Sequence, residues 1–317
     1  MATASAVSNS FSAPGALMAE NFPDVLDARF KFVKRRTFKT PVEGLKYWNV
    51  KSTNKSTERH SYVTNAGVMS RNRDVDEMPL ANIIQGFDNS YTPLTYRLGI
   101  RIEQRLRETD QFNVIDKQMA DLMQSTKDTI ELYAALPFNT TFNTTVEWTC
   151  ADGMNLVDSA RPMEDPTQAN WSNLESAGTP TQAAISTMRV NFAKNTNERG
   201  RVRPIKMSKV AIPIDLQDTL ITNLGSALKP GFSLNDKNFL QAYGLDYEVW
   251  NYLTSTTAWF GFGAKDSNYE MNWYWGVKPN TKRYDVGNNP DVWATRARMV
   301  FVTGADRPAS LRGNAGA

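Results

Sequence analysis

Side chains that ligate metals or attack substrates are scarce in this chain. Among 317 residues there is one histidine, His60, and one cysteine, Cys150. A zinc site draws on several thiolates or imidazoles at close spacing, so none is expected. A histidine-based triad would have to use His60, and no nucleophile elbow or partner motif accompanies it. His60 follows the polar run Ser56-Thr57-Glu58-Arg59 and reads as a surface residue of an extended loop. Cys150 reads as a small, partly buried residue rather than a nucleophile. Asp74, Asp76 and Glu77 form a solvated acidic loop tip, with nothing further to support a divalent ion. Gly261-Phe262-Gly263 is a fragment of a phosphate-binding fingerprint, lacking the third glycine, the following helix and the acidic partner. Asn54, Asn139, Asn143 and Asn170 open glycosylation sequons, which carry no meaning without a secretory signal. The expectation is a protein that is not an enzyme, with no cofactor, metal or catalytic residue.

What remains is cationic and aromatic. Residues 29–39 carry Arg29, Lys31, Lys34, Arg35, Arg36 and Lys39, with Phe30, Phe32 and Phe38 between them and no acid. Such a stripe would suit nucleic acid. The preferred reading is a strand with snorkelling cations, or a patch that meets a neighbour's acidic face. The net charge of +3 is too small to argue for nucleic acid through overall charge. Five of the eight tryptophans fall between Trp250 and Trp293, and the alternation Met271, Trp273, Trp275, Val277 favours a core over a sugar-binding platform.

The elements that position these residues are unusual in length. Leu94, Tyr96, Leu98, Ile100, Ile102 and Leu106 alternate with Thr95, Arg97, Arg101, Glu103, Arg105 and Arg107, the pattern of a half-buried strand over 94–106. At roughly 3.3 Å per residue it spans about 40 Å, long enough to project from its domain as an arm. Asp110 can cap a following helix with Phe112, Ile115, Met119, Leu122, Met123, Ile130, Tyr133 and Ala134 on one side. Pro137 is expected to end it. Residues 50–93 are polar and turn-rich and read as the outgoing limb and tip of a hairpin arm. Residues 1–20 have the composition of a flexible tail.

Further on, Thr179 reads as an N-cap with Pro180 at the first helical position. A strand over Lys206–Ile212 leads into a Pro-initiated helix closed by Gly225, and Ser233 would cap a third, short helix. Strands follow at Met271–Val277 and at 292–302. No apolar stretch approaches the roughly 18 residues of a membrane span. A lone cysteine fits a reducing cytoplasm.

Three stretches carry a resemblance. They are Tyr91–Asp110 leading into the helix that ends Thr129-Ile-Glu131-Leu-Tyr-Ala-Ala-Leu-Pro-Phe-Asn139, the segment Tyr252–Gly263, and the strand Ala294–Arg307. In element order and residue type the chain resembles a tailed-bacteriophage major capsid protein of the Hong Kong 97 fold. The resemblance implies an α+β capsid fold with an N-terminal arm at 1–30 and an extended β-hairpin loop at 46–100. The peripheral domain, with its long spine helix, would take 31–45, 101–145 and 291–317, leaving 146–290 as the axial domain.

It implies self-assembly into pentamers and hexamers of an icosahedral head enclosing DNA, assembled in the host cytoplasm. Partners would be other copies of the chain, portal, cement or scaffold proteins, and packaged DNA through non-specific contacts, with no membrane. Some relatives carry a helical scaffolding segment, for which there is no room before residue 30, so a separate scaffold or none is implied. Others form Lys–Asn cross-links, for which Lys46, Lys51 and Lys55 lie near the extended loop. An encapsulin-like nanocompartment shell, or another virion structural protein, is the alternative.

The candidate intersubunit contacts are Tyr96, Leu98, Ile100, Arg97, Arg101 and Arg105: an apolar face one copy cannot bury alone, beside arginines that fix register against a neighbour's acids. Lys31, Lys34, Arg35 and Arg36 are a DNA-facing or intersubunit basic patch.

Overall fold

The computed structural model describes residues 36, 41–69, 71, 77–78, 80–103, 114–143, 148–226, 237–265, 269–284 and 292–316. Strands β1 (Asn49–Ser52), β2 (Glu58–Val63), β3 (Gln85–Tyr91) and β4 (Leu94–Glu103) precede the long helix α1 (Val114–Thr140). Helix α2 (Gln182–Ala193), β5 (Met207–Ile212) and the short helices α3 (Gln217–Leu220) and α4 (Phe239–Ala242) follow. Then come β6 (Asp246–Val249), β7 (Trp259–Gly263), β8 (Met271–Tyr284), β9 (Val292–Ala305) and β10 (Leu311–Asn314). Two four-stranded sheets have the orders β1-β8-β9-β4 and β10-β7-β5-β6, and β2 pairs with β3 alone.

The chain divides into two compact units, each discontinuous in sequence. One gathers Arg97–Lys127 and Pro279–Arg298; the other gathers Val42–Tyr96, Asp128–Lys278 and Met299–Ala317. In the larger unit α2 lays Ile185, Met188 and Phe192 on Val210, Ile212 and Trp259. A second core there is aromatic: Phe138 meets Trp48, Trp250 and Phe260 edge-on, at centroid distances of 6.1, 5.1 and 5.2 Å. Of the tryptophans read as core, Trp250, Trp259 and Trp273 have no exposed surface and Trp275 is buried, while the Trp293 side chain lies outside what is described. In the smaller unit Ile102 packs on Ile115 and Met119, while Leu122, Met123 and Ala297 form a neighbouring cluster that Ile100 joins.

Several expectations are corrected. Pro137 lies inside α1, which runs on to Thr140. The proline forfeits one backbone bond, and tertiary contacts outweigh it. Phe138 is buried among aromatic rings, Asn139 Nδ2 donates to the Tyr252 carbonyl at 3.0 Å, and Thr140 Oγ1 donates to Leu136 at 2.8 Å. The cap of α2 is Thr181 rather than Thr179, because its extended backbone lets the hydroxyl accept from Ala184 N at 3.2 Å. The Pro213-initiated helix breaks into a 3₁₀ turn, α3 and a π turn over Ile221–Gly225. The third helix is capped by Asn238, whose side chain accepts from Leu240 N at 3.1 Å. The last strand continues to Ala305.

The 94–106 strand is not a free arm. β4 is an edge strand hydrogen-bonded to β9, and the hairpin is β2–β3. β1, read with that limb, instead pairs in parallel with β8, Asn49 opposite Asn272 and Ser52 opposite Trp275. Positions 104–113, with Arg105, Leu106, Arg107, Asp110 and Phe112, lie outside the described residues.

Candidate intersubunit surface

The two faces of β4 meet different surroundings. On the even-numbered face Tyr96 and Ile100 are half-buried and Ile102 is buried. Tyr96 stacks on Phe301 at 4.4 Å and tilts against Tyr133 at 4.7 Å. Burial, with Tyr133 beside it, raises its phenol above the ordinary range. Ile100 reaches two apolar clusters, and Ile102 is 1% exposed. Leu94 and Leu98 share that face yet remain 58% and 53% exposed. Leu98 stands at the mouth of a groove of about 330 Å³ between β4 and α1, lined also by Ile100, Arg101, Gln118, Asp121, Leu122 and Ser125. An edge strand thus leaves two leucines open, one of them lining an unfilled groove.

Of the candidate contact residues, Tyr96 and Ile100 serve mainly the protein's own packing, while Leu98, Arg97 and Arg101 are exposed. Arg36 is exposed, and Lys31, Lys34 and Arg35 lie outside the described residues. A second apolar surface follows β2. On the connection to β3, Met69 is 98% and Leu80 88% exposed, with Val68, Met78 and Ile83 also open.

The sequence reading missed how the β2–β3 hairpin is held. His60 is not a loop residue. It lies in β2, half-buried, with Nδ1 2.7 Å from Asp306 Oδ2 and Nε2 2.9 Å from the Tyr274 hydroxyl. The Tyr91 hydroxyl donates to the other Asp306 oxygen at 2.5 Å, and a Cβ at Gly304 would collide with the Tyr91 ring. Tyr62 donates to Glu198, as does Asn65 Nδ2 at 3.1 Å. Glu198, fully buried, is paired with Arg307 Nη1 at 2.8 Å. Burial pushes the Glu270 carboxyl up to about 7, helped by Asp306 and Glu164 and opposed by Arg307 and Arg203. The Glu164 carboxyl is raised by the same desolvation, opposed by Arg307. A usable signal was the alternation His60, Tyr62 in β2 set against Asn272, Tyr274 in β8. Both faces of β8 are buried here, because His60 covers Tyr274.

Cys150 is enclosed, its thiol pushed up to about 12 by burial. Among the described residues no group of three or more His, Cys, Asp or Glu gathers to hold a metal, and no helix is long and apolar enough to cross a membrane.

A family model described as phage capsid protein matches residues 88–313. No curated protein matches the chain in sequence. The solved capsid of cyanophage P-SCSP1u aligns at 10% identity and a TM-score of 0.56, covering 86% of each chain. A structure from Microbacterium phage Oxtober96 aligns at 9% identity and 0.55, covering 88% of this chain and 92% of its own. An encapsulin complex from Synechococcus elongatus aligns at 9% identity and 0.54, covering 87% of each. At such identities the structural likeness shows the fold, that of Hong Kong 97 capsids.

Proposed function

The chain belongs to the phage capsid protein family as a major capsid protein, and from that premise we propose how copies of it join. They form pentamers and hexamers of an icosahedral head around packaged DNA, built in the host cytoplasm. Portal, scaffold or cement proteins meet the finished or growing shell. Basic residues Lys31, Lys34, Arg35 and Arg36 touch DNA or a neighbour without sequence specificity.

The observation that carries this reading is the open β4–α1 groove, lined by the exposed Leu98, on an edge strand where Leu94 is also exposed. A neighbouring copy fills the groove with apolar residues of its hairpin loop, Met69, Met78 and Leu80 among them. Arg97 and Arg101 on the exposed strand meet acidic groups of the neighbouring copy and set the register. No single contact of this size is strong, but a closed shell repeats it many times, and multivalency makes the sum stable. The encapsulin likeness concerns the fold, whereas the family match is to phage capsids, which favours a DNA-filled head over a nanocompartment.

Negative-stain electron microscopy and sedimentation of the expressed chain test the proposal. Shells or capsomer rings are expected from the native chain, and folded, unassembled protein from a Leu94→Asp/Leu98→Asp double variant. A native chain that stays monomeric even with its own portal and scaffold would overturn the assembly reading. A double variant that assembles normally would overturn the choice of surface.

A further inference from the structure

The hairpin β2–β3 is seated on ionisable groups. Asp306 takes His60 and Tyr91, and Glu198 takes Tyr62 and Asn65. Beneath the seat lies a cavity of about 420 Å³. Its hairpin side is lined by His60, Tyr62 and Phe87, and its other side by Glu270, Asn272 and Asp306. Glu270 Oε2 and Asn272 Oδ1 are buried there without a hydrogen-bond partner, although Asn272 is only 2% exposed. Buried acceptors without donors are costly, and most costly when charged. Lifting the hairpin would open this cavity and let water reach both atoms.

We propose that the hairpin root is a proton-controlled latch: a proton on Glu270 favours the seated hairpin, and ionisation of Glu270 shifts the balance toward the lifted one. The charged groups around Glu270 are Asp306 and Glu164, which oppose its ionisation, and Arg307 and Arg203, which favour it. Lys51, Arg59 and His60 also line the cavity, with Lys51 Nζ lying 5.7 Å over the Tyr274 ring. Among these groups the desolvation of Glu270 wins, holding its carboxyl at about 7 against an ordinary 4.5.

The direction follows by linkage. The seated state holds the proton more tightly than a lifted, hydrated state, so raising the pH favours lifting. With those two values, the opening equilibrium rises roughly tenfold from pH 6 to pH 8 and levels off above. A subunit would thus carry its hairpin in two positions, seated or free to reach a neighbour, with proton concentration setting the balance.

Hydrogen exchange of the full, unassembled chain between pH 6 and pH 8, corrected for intrinsic amide rates, tests the latch. The expected result is a roughly tenfold rise in opening at the β2 and β3 amides, no rise at α2, and no rise anywhere in Glu270→Gln. A pH-independent hairpin would overturn it. So would a rise that survives Glu270→Gln but vanishes in His60→Gln, which would assign the effect to the histidine. Should Glu270→Gln fail to fold, a carboxyl-carbon NMR titration of the native chain decides. A Glu270 midpoint near 7, followed by the Tyr62 ring signals, is expected; one near 4.5 would overturn the proposal.

Discussion

The two halves of helix α1 meet opposite conditions. In its C-terminal half Ala134 and Phe138 are sealed among rings, and the Trp48 indole donates to the Ala134 carbonyl at 3.2 Å. Glu131 in the same half is 1% exposed and accepts from the backbone nitrogens of Glu43 and Gly44 at 2.5 and 2.7 Å. In its N-terminal half Leu122 and Met123 are covered, but the groove beside Leu122 is open and bordered by an exposed leucine. Both halves follow the same helical repeat of apolar residues. The difference teaches that a regular apolar stripe fixes which side of a helix seeks burial, and not whether the subunit itself supplies the cover. Where cover is missing, the proposed source is a second copy of the chain.

The contrast can be broken most severely at the sealed half. Trp48→Ala removes a fully buried indole and should cost about 3–5 kcal/mol, abolishing a cooperative urea transition. Glu131→Ala should follow, losing about 2–4 kcal/mol in the same measurement, because two backbone donors are left without their acceptor. At the hairpin seat Tyr62→Phe removes one hydrogen bond to a carboxylate and should cost about 1.5–3 kcal/mol, seen as a lowered urea midpoint. At the open half the sign of the contrast reverses. Leu98→Asp should change stability by no more than about 0.5 kcal/mol while removing assembled particles from a sedimentation profile. Least visible is Cys150, whose thiol should stay unlabelled at pH 8 until the protein unfolds, as a thiol-reagent time course would show.

Those experiments separate what could be read along the chain from what could not. The alternation in β4 and the helical spacing in α1 are short-range periodicities, and they placed both elements correctly in kind. The spacing of Trp273 and Trp275 likewise pointed to a core. Helix ends were less legible. The fate of Pro137 depended on Phe138 and Asn139 finding partners more than a hundred residues away, and the cap of α2 depended on which of two threonines adopted an extended backbone. Ser233 and Lys31, Lys34 and Arg35 lie outside the described residues.

The sequence by itself determined the class of elements, the poverty of metal and nucleophile chemistry, and the family. Each depends on residue type and local spacing, which the chain carries in linear order. Only the tertiary structure decided that β4 pairs as an edge strand, that Leu94 and Leu98 stay open while Ile102 does not, and that His60 meets Asp306. Those outcomes depend on contacts across as many as 246 positions. No local pattern encodes them, because a buried polar group takes its partner from whichever distant segment the fold brings within hydrogen-bond reach.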